Sequence, residues 1–197
     1  GNQARGLAHY LNDQGFIDTL LNGDIHQYNA DILTGVVRSI LRDDEFVVKR
    51  AQAKRILYAF LFGASGAKLW SYIFGNLDEV NGKKLKEGFL AAVPGFKNLL
   101  DKLNSIFTKT SKIEDFGYTP SIAGNRVYVD SRHKLLVYLL QSAEKITCAA
   151  ALMVTMQKLE EENIPYIPCI FYHDEIDFQV PEEYKERAAE IGKQAFA

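Results

Sequence analysis

The sequence predicts an α+β fold that is mostly helical and carries a short antiparallel sheet toward its C-terminal end. Apolar residues recur at helical spacing through most of residues 1–116, with glycine, proline or an N-capping residue between the periodic stretches. Two strand-like runs, Tyr166–Tyr172 and Ile176–Val180, come much later and are separated by only three residues. A chain of 197 residues, 47% of them hydrophobic, is long enough to bury a substantial core.

The individual elements follow from their ends as well as from their periodicity. Asp24 is a good N-cap for the helix that runs toward Val37, and Asn22-Gly23 stops the helix before it. A Gly124-Asn125 turn predicts a β-hairpin within 118–129. In chain order, the predicted helices cover residues 5–11, 16–21, 24–37, 45–62, 84–92, 96–107 and 131–161, and a last amphipathic helix follows Pro181.

Composition excludes several classes of protein. No apolar run approaches the roughly 18 residues that a membrane span needs, and the first residues lack the features of a signal peptide, so we expect a cytoplasmic protein with no membrane partner. Cys148 and Cys169 are too few for a disulfide framework, and their apolar neighbours predict buried, reduced thiols. The formal net charge of −2 does not by itself indicate a nucleic-acid binder, although basic residues are concentrated between Arg38 and Arg55.

One predicted helix carries two cations and two aromatic residues at intervals of four. Each step of four residues turns a helix by roughly 400°, so the four side chains share one broad stripe. Cations at one end could meet phosphates, and rings at the other could meet a sugar and a base. The alternative, which the spacing taken alone favours, is an amphipathic helix with a basic start and core aromatics. The residues are Arg50, Lys54, Tyr58 and Phe62.

A second pattern lies between the two C-terminal strands, where the chain reads His173-Asp174-Glu175. Adjacent carboxylates at a hairpin turn can hold a divalent metal, and oxygen ligands suit Mg²⁺. A polar hairpin turn without a metal is the alternative, since Asp is common in turns. The adjacent His173-Asp174 also resembles the metal-binding pair of HD-type phosphohydrolases, although those enzymes carry the pair on a helix.

Taken in chain order, these patterns resemble the DNA polymerase I family, called family A. The nucleotide-binding helix of that family reads Arg-x-x-x-Lys-x-x-x-aromatic-x-x-x-Tyr-Gly, and this chain has at those positions Arg50, Lys54, Tyr58, Phe62 and Gly63. The metal-binding turn of the family is His-Asp-Glu, as in residues 173–175. Three further segments resemble family motifs, and the last of them is most similar to podovirus-type phage polymerases: Arg5–Tyr10, Asn22–His26 and Leu139–Ala143.

The resemblance implies how the nucleotide would be held. His26, Arg50 and Lys54 would contact the incoming triphosphate, with Lys54 able to donate a proton to the pyrophosphate leaving group. Tyr58 would lie near the sugar, and its identity as Tyr rather than Phe implies that dideoxynucleotides are incorporated. Phe62 would pack under the nascent base pair, together with Gly63.

The resemblance also implies contacts with DNA and metal. Gln141 would reach the minor-groove side of the primer–template, His133 on the same helix would touch the DNA, and His173 would reach the primer terminus. Asp174 would hold Mg²⁺ with Glu175 beside it, in a two-metal site that promotes attack of the primer 3′-hydroxyl on the α-phosphate.

Three departures from the family pattern qualify these expectations. The first metal-binding aspartate of the family belongs three residues before Gly1, so we expect the chain alone to be inactive. Gln3 stands where the family has the glutamate that excludes ribonucleotides, and Phe62 stands where that glutamate has its Tyr partner. Because both partners change together, neither leaves the other unpaired. Gln is almost as bulky as Glu, so we expect the preference for deoxynucleotides to be retained, although weakened. Val137 replaces an asparagine that usually touches DNA.

The resemblance implies template-directed DNA synthesis in replication, with a mostly helical fingers domain inserted into a partial palm that carries the short sheet. We expect palm fragments at 1–23 and 117–197, the latter with the metal-binding hairpin, and fingers at 24–116. Expected partners are primer–template DNA, deoxynucleoside triphosphates and a processivity factor, in the cytoplasm of a phage host. The alternatives are a single-subunit RNA polymerase, an HD-type metal-dependent phosphohydrolase and a non-catalytic DNA-binding relative.

Overall fold

The computed structural model describes residues 2–112, 116–172 and 175–196, and these are mostly helical with two antiparallel hairpins, which confirms the predicted fold class. The helices are α1 (Asn2–Leu11), α2 (Gln14–Asn22), α3 (Ile25–Leu41), α4 (Arg50–Leu61), α5 (Gly66–Phe74), α6 (Glu79–Ala92), α7 (Phe96–Thr110), α8 (Leu135–Glu161) and α9 (Lys185–Ala195). The strands are β1 (Gly117–Pro120), β2 (Arg126–Val129), β3 (Ile167–Tyr172) and β4 (Glu175–Gln179).

The main core joins buried residues that are spread along the chain from Leu7 to Leu140. Helices α3 and α4 pack against each other through apolar residues at helical spacing, with Leu33 of α3 and both Ile56 and Leu57 of α4 at most 1% exposed. The same core contains Leu7 of α1 and Leu139 of α8. The proposed boundaries at 24 and 117 are therefore positions along the sequence only. In the folded chain, residues from all three segments share one apolar core.

Helix α4 begins at Arg50, so the prediction of a helix from residue 45 is wrong at this end. The preceding segment is tied to α3 instead: Arg38 Nε donates to the carbonyl of Phe46 (2.8 Å), and the amide of Val48 donates to Thr34 Oγ1 (3.0 Å). Lys49 is extended, with ψ at 143°, and its amide donates to Gln52 Oε1. These bonds replace helical ones, and Arg50 consequently occupies the first, solvent-facing position of α4.

The other end of α4 is fixed by close approach of two backbones. Gly63 has a φ of 82°, in the left-handed region that favours glycine. A Cβ at this position would lie 2.3 Å from the carbonyl oxygen of His133. His133 belongs to a 3₁₀ turn, Arg132–Lys134, that precedes α8, so it is not on the same α-helix as Gln141 as the sequence had suggested.

The predicted hairpin with a Gly124-Asn125 turn is confirmed. Tyr118 lies opposite Tyr128 in an antiparallel register, and Gly124 has a φ of 83°. One face packs inward on α7 and α8, where Val129 is 1% exposed. The hairpin therefore connects the end of α7 to the turn that holds His133.

Helix α8 is the long element of the core. Contrary to the expectation from the sequence, the segment 132–161 is long and apolar enough to cross a membrane by length and composition alone, with a mean hydropathy of 1.3 in its most apolar window. Leu139 and Leu140, however, are at most 2% exposed because they pack in the protein core, and core helices of globular proteins share this composition. Its apolar character is explained by that packing.

The second hairpin pairs β3 with β4, as predicted, and lies near a smaller apolar cluster of Leu159, Ile164 and Ile191. The described chain leaves much of β3 exposed, so Cys169 is exposed and only Cys148 is buried; the expectation of two buried thiols is wrong for Cys169. The register shifts at this residue. A 3₁₀ turn, Glu182–Tyr184, separates Pro181 from α9.

Gly63→Ala should destabilise the protein more than Gly75→Ala. Both glycines have positive φ, at 82° and 79°, which costs an alanine about 1–2 kcal/mol. The Cβ that alanine adds at position 63 would also collide with the backbone of His133, whereas nothing lies within 4 Å of a Cβ at position 75. Urea unfolding of both variants should therefore show a loss of about 3 kcal/mol or more for Gly63→Ala. Equal losses would contradict the close packing of α4 on His133.

Candidate nucleotide-binding site

The outer face of α4 forms one side of an open groove of about 590 Å³, which we call the α4 groove. Its formation follows from the packing of α4: since Ile56 and Leu57 are buried, residues four apart on the opposite face reach solvent. Phe62 is 48% exposed at one end. The groove is lined by Arg50, Ala51, Lys54, Arg55, Tyr58, Ala59, Phe62 and Tyr72.

The described lining of the α4 groove contains three cationic side chains and no carboxylate. Arg50, Lys54 and Arg55 are all exposed, so their charges can meet a polyanion without first being desolvated. Tyr58 and Phe62 supply ring surface farther along the same stripe. The structure thus brings together the four residues that the spacing predicted, on a surface whose charge suits a triphosphate.

Asp24 binds the first cation of the stripe. Its Oδ2 lies 2.6 Å from Arg50 Nε, and its Oδ1 lies 3.1 Å from the NH2 of the same guanidinium. The Asp24 carboxylate also caps α3 by accepting from the amides of His26 and Gln27. The hydrogen bond from Arg50 is the largest of the effects that lower the pKa of Asp24 to about 2, and the backbone amides add to it.

His26 lies beside the groove, with its ring centroid 6.1 Å from that of Tyr58. Its Nδ1 is buried and accepts or donates no hydrogen bond among the described residues. Burial lowers the pKa of His26, and the charges of Arg50 and Lys54 lower it further. The imidazole is therefore neutral at pH 7, so it can donate one hydrogen bond to a phosphate oxygen without carrying a charge.

The residues expected to contact DNA lie on neighbouring elements. Gly63 and His133 are in direct contact through the His133 carbonyl, at the end of the α4 groove that holds Phe62. Gln141 is exposed on α8, and Lys145 one turn later places its Nζ 3.7 Å from the ring centroid of Phe171 on β3. This cation–π contact joins α8 to the second hairpin.

The predicted metal-binding turn falls partly outside the described residues. Tyr172 pairs with Glu175 at the end of the β3–β4 ladder, and His173 and Asp174 stand between them in sequence but lie outside the described part of the chain. Glu175 is exposed at the start of β4. Over residues 2–112, 116–172 and 175–196, no group of three His, Cys, Asp or Glu side chains is arranged to hold a metal ion.

Two of the departures from the family pattern have structural counterparts. Gln3 is half-buried and donates to Glu144 Oε2 on α8 at 3.4 Å, while Phe62 faces the α4 groove. Within the described chain, Gln3 does not line that groove. Val137 is only 6% exposed, so the residue in place of the family's asparagine is packed inside.

A larger cavity of about 1200 Å³ lies elsewhere, between α1, α2, α8, β4 and α9. Side chains such as Leu20, Leu159 and Phe178 make its wall mostly apolar, and the described lining includes none of the residues predicted for nucleotide, DNA or metal. Apolar walls suit the packing of polypeptide better than the binding of a triphosphate. The smaller, cationic α4 groove is therefore the better candidate site.

Sequence reasoning missed three residues around the α4 groove. Arg55 and Tyr72 line it, and Asp24 holds Arg50. Asp24 had been recognised as an N-cap and as part of the family-like segment Asn22–His26, but its pairing with a residue 26 positions away has no periodic signal. Arg55 follows Lys54 directly, and the local excess of basic residues between Arg38 and Arg55 was the signal that could have included it.

Comparison with known proteins gives a consistent result. The family model for DNA polymerase family A matches residues 3–197. The DNA-directed DNA polymerase of Escherichia phage Phieco32 is 31% identical over 183 residues, which cover 89% of this chain and 26% of that protein. The corresponding enzyme of Enterobacteria phage T3 is 26% identical over 216 residues, covering 99% and 28%. That of Escherichia phage T7 is 27% identical over 180 residues, covering 84% and 23%.

A solved structure has a similar fold: the POL domain of Pol1 from M. smegmatis, in complex with a DNA primer-template and dNTP. The TM-score is 0.73 at 19% sequence identity, over 99% of this chain and 35% of that one. At this identity the likeness concerns the fold alone. The chain spans about a quarter of the length of the curated phage relatives that it matches.

His26 should titrate below the usual histidine value of about 6.5. Because the folded state then binds fewer protons than the unfolded state, the free energy of unfolding should fall as the pH falls below about 6.5. NMR titration of the histidine rings, with His26→Gln to assign the signal, measures the pKa directly. Lys54→Met should raise it, because one repelling charge is removed. A His26 pKa at or above 6.5 would contradict the described burial.

Proposed function

The chain belongs to DNA polymerase family A, and on this premise we propose that it forms the nucleotide-binding part of a polymerase that extends a primer along a DNA template. The observation that carries the proposal is the α4 groove, where two cations and two rings of the family's helix pattern share one solvent-facing stripe. Since the chain spans only part of the length of its relatives, the activity is proposed for the complete source-gene product.

The proposed roles of the residues follow their order along α4. Arg50 and Lys54, with neutral His26 beside them, bind the triphosphate, and Lys54 donates a proton to the departing pyrophosphate. Tyr58 lies against the sugar, and Phe62 packs under the new base pair. The support is geometric: cations at one end and rings at the other match a nucleotide whose phosphates and base point in opposite directions.

Template and primer are assigned to the adjoining surface. Gly63 and His133 meet at the Phe62 end of the groove, and Gln141 is exposed on the helix that follows. We assign these residues to the DNA, with His173 at the primer terminus. Gln3 is assigned to the exclusion of ribonucleotides, from its place in the family pattern rather than from a contact with Phe62.

Asp174 and Glu175 are the proposed catalytic carboxylates. Exposed carboxylate oxygens such as those of Glu175 are the ligands that Mg²⁺ prefers, so the residue present fits this ion. When bound there, Mg²⁺ would neutralise phosphate charge and activate the primer 3′-hydroxyl. The chain's own contribution is to hold the α-phosphate in line with that hydroxyl, through the cations of α4.

The boundaries 1–23, 24–116 and 117–197 remain our proposed palm, fingers and palm segments. Because the curated relatives that match are phage polymerases, we place the reaction in the cytoplasm of a phage host, with primer–template DNA and deoxynucleoside triphosphates as partners. A processivity factor is a further proposed partner, which a pull-down from infected cells with the complete protein would test.

Mg²⁺-dependent primer extension by the complete source-gene product tests the proposal. Asp174→Ala should lower the rate by at least about 1000-fold, because several kcal/mol of charge stabilisation in the transition state is lost. Asp177→Ala, which removes a carboxylate from the same hairpin at the wall of the apolar cavity, should extend primers normally. Undiminished extension by Asp174→Ala would refute the assignment of the turn. DNA binding without extension by the wild type would favour a non-catalytic relative, and phosphate-ester hydrolysis would favour an HD-type enzyme.

Tyr58→Phe should increase discrimination against dideoxynucleotides. The phenolic hydroxyl can supply a hydrogen bond close to the position of a missing 3′-hydroxyl, so its removal affects dideoxynucleotides more than normal substrates. The measurement is the ratio of kcat/KM for dNTP and ddNTP, which should rise by about tenfold or more. Tyr72→Phe, which removes a hydroxyl from the part of the groove lining that α5 supplies, is the matched control and should leave the ratio unchanged. A wild type that already rejects dideoxynucleotides would contradict the placement of Tyr58.

A further inference from the structure

Arg50 is held on one edge of its guanidinium. The Asp24 carboxylate accepts hydrogen bonds from Arg50 Nε at 2.6 Å and from Arg50 NH2 at 3.1 Å. This two-point geometry fixes both the position and the plane of the guanidinium. Asp24 is itself fixed, because its Oδ1 accepts from the amides of His26 at 2.9 Å and Gln27 at 3.2 Å at the start of α3. The arginine is thus tied to a helix terminus of the neighbouring element.

The edge of the guanidinium that Asp24 does not bind remains available. A guanidinium carries five N–H donors, and the pair uses one edge of the fork. Arg50 lines the α4 groove, and its side chain is 52% exposed even with the pair formed. A second two-point contact, to phosphate oxygens, can therefore form without breaking the first.

Capping of α3 does not require this arrangement. Asp78 caps α6 in the same way, by accepting from the amide of Asn81 at 2.9 Å, with no arginine bound to it in the described part of the chain. Serine or asparagine caps a helix about as well as aspartate. The hydrogen bond from Arg50 is the first cause that lowers the pKa of Asp24 to about 2, so the pair persists to a lower pH than it would with an unshifted carboxyl.

We propose that Asp24 is a positioning residue for nucleotidyl transfer, which holds Arg50 so that the second edge of its guanidinium meets the triphosphate. This inference rests on the proposed function. The negative charge of Asp24 also offsets one cation of the groove, so its loss does not weaken attraction of the nucleotide. Without Asp24, the guanidinium of Arg50 loses its fixed orientation instead. A free arginine side chain samples many rotamers, so it contacts the phosphates in the transition-state geometry less often.

The test is single-nucleotide incorporation by the complete source-gene product at varied dNTP concentration. Asp24→Asn and Asp24→Ser keep a capping side chain and remove the charge, and Asp78→Ser is the matched cap control. We expect kcat to fall about tenfold or more in both Asp24 variants, as for a misplaced catalytic contact, with no rise in the KM for dNTP. The control should match the wild type, and Asp24→Asn should unfold at the wild-type temperature.

A double-mutant cycle with Arg50→Lys separates positioning from a structural role. If Asp24 acts through Arg50, Asp24→Asn should have little further effect on kcat once Arg50 is Lys. A wild-type kcat in both Asp24 variants, an equal fall in Asp78→Ser, a raised KM at unchanged kcat, or full additivity in the cycle would each overturn the inference. Failure of the wild type to extend primers would instead refute the proposed function itself.

Discussion

The burial of one face of α4 against α3 and α5 is the constraint from which the candidate site follows. Ile56 and Leu57 are at most 1% exposed, and full burial of such side chains contributes roughly 1.5–3 kcal/mol each. An exposed ion pair contributes much less, so the core and not the surface charges determines the rotation of the helix. That rotation leaves Arg50, Lys54, Tyr58 and Phe62 on the opposite side, in one groove.

Both ends of the stripe are fixed by contacts outside α4. At the start, the segment 45–49 is tied to α3 by Arg38 and Thr34, so the helix cannot extend backward and Arg50 remains at its exposed first turn. At the end, the approach of Gly63 to the His133 backbone leaves no space for a side chain. The length of the groove thus depends on α3 and on the turn before α8, and changes there would alter the site without touching the stripe.

The electrostatics of the groove depend on where a few charges are placed rather than on the net charge of −2. Arg50 and Lys54 help to keep His26 neutral, while Asp24 holds Arg50 through a hydrogen bond that lowers the pKa of the Asp24 carboxyl. A polyanion therefore meets one oriented arginine, two further exposed cations and a neutral donor in an open, solvated groove. This is the distribution of charge that favours binding of a triphosphate from solution.

The features that depend on neighbouring residues could be predicted from the sequence, and the features that depend on long-range contacts could not. The N-cap at Asp24, the Gly124-Asn125 turn and the spacing of the α4 stripe each depend on neighbours within a few residues, so the sequence contains them. The start of α4, the exposure of Cys169 and the pairing of Asp24 with Arg50 depend on partners far along the chain or on what covers a strand. The turn residues His173 and Asp174 were predicted from pattern and family resemblance, and they lie outside the described residues.

Photo-crosslinking of a dNTP to α4 tests the central claim most directly. The complete source-gene product would be irradiated with 8-azido-dATP and primer–template, and the labelled peptide identified by mass spectrometry. We predict that the label falls between Arg50 and Gly63, that it requires a primer–template with a templating thymine, and that Lys54→Ala reduces it. Labelling confined to other segments, such as the wall of the apolar cavity, would contradict the account.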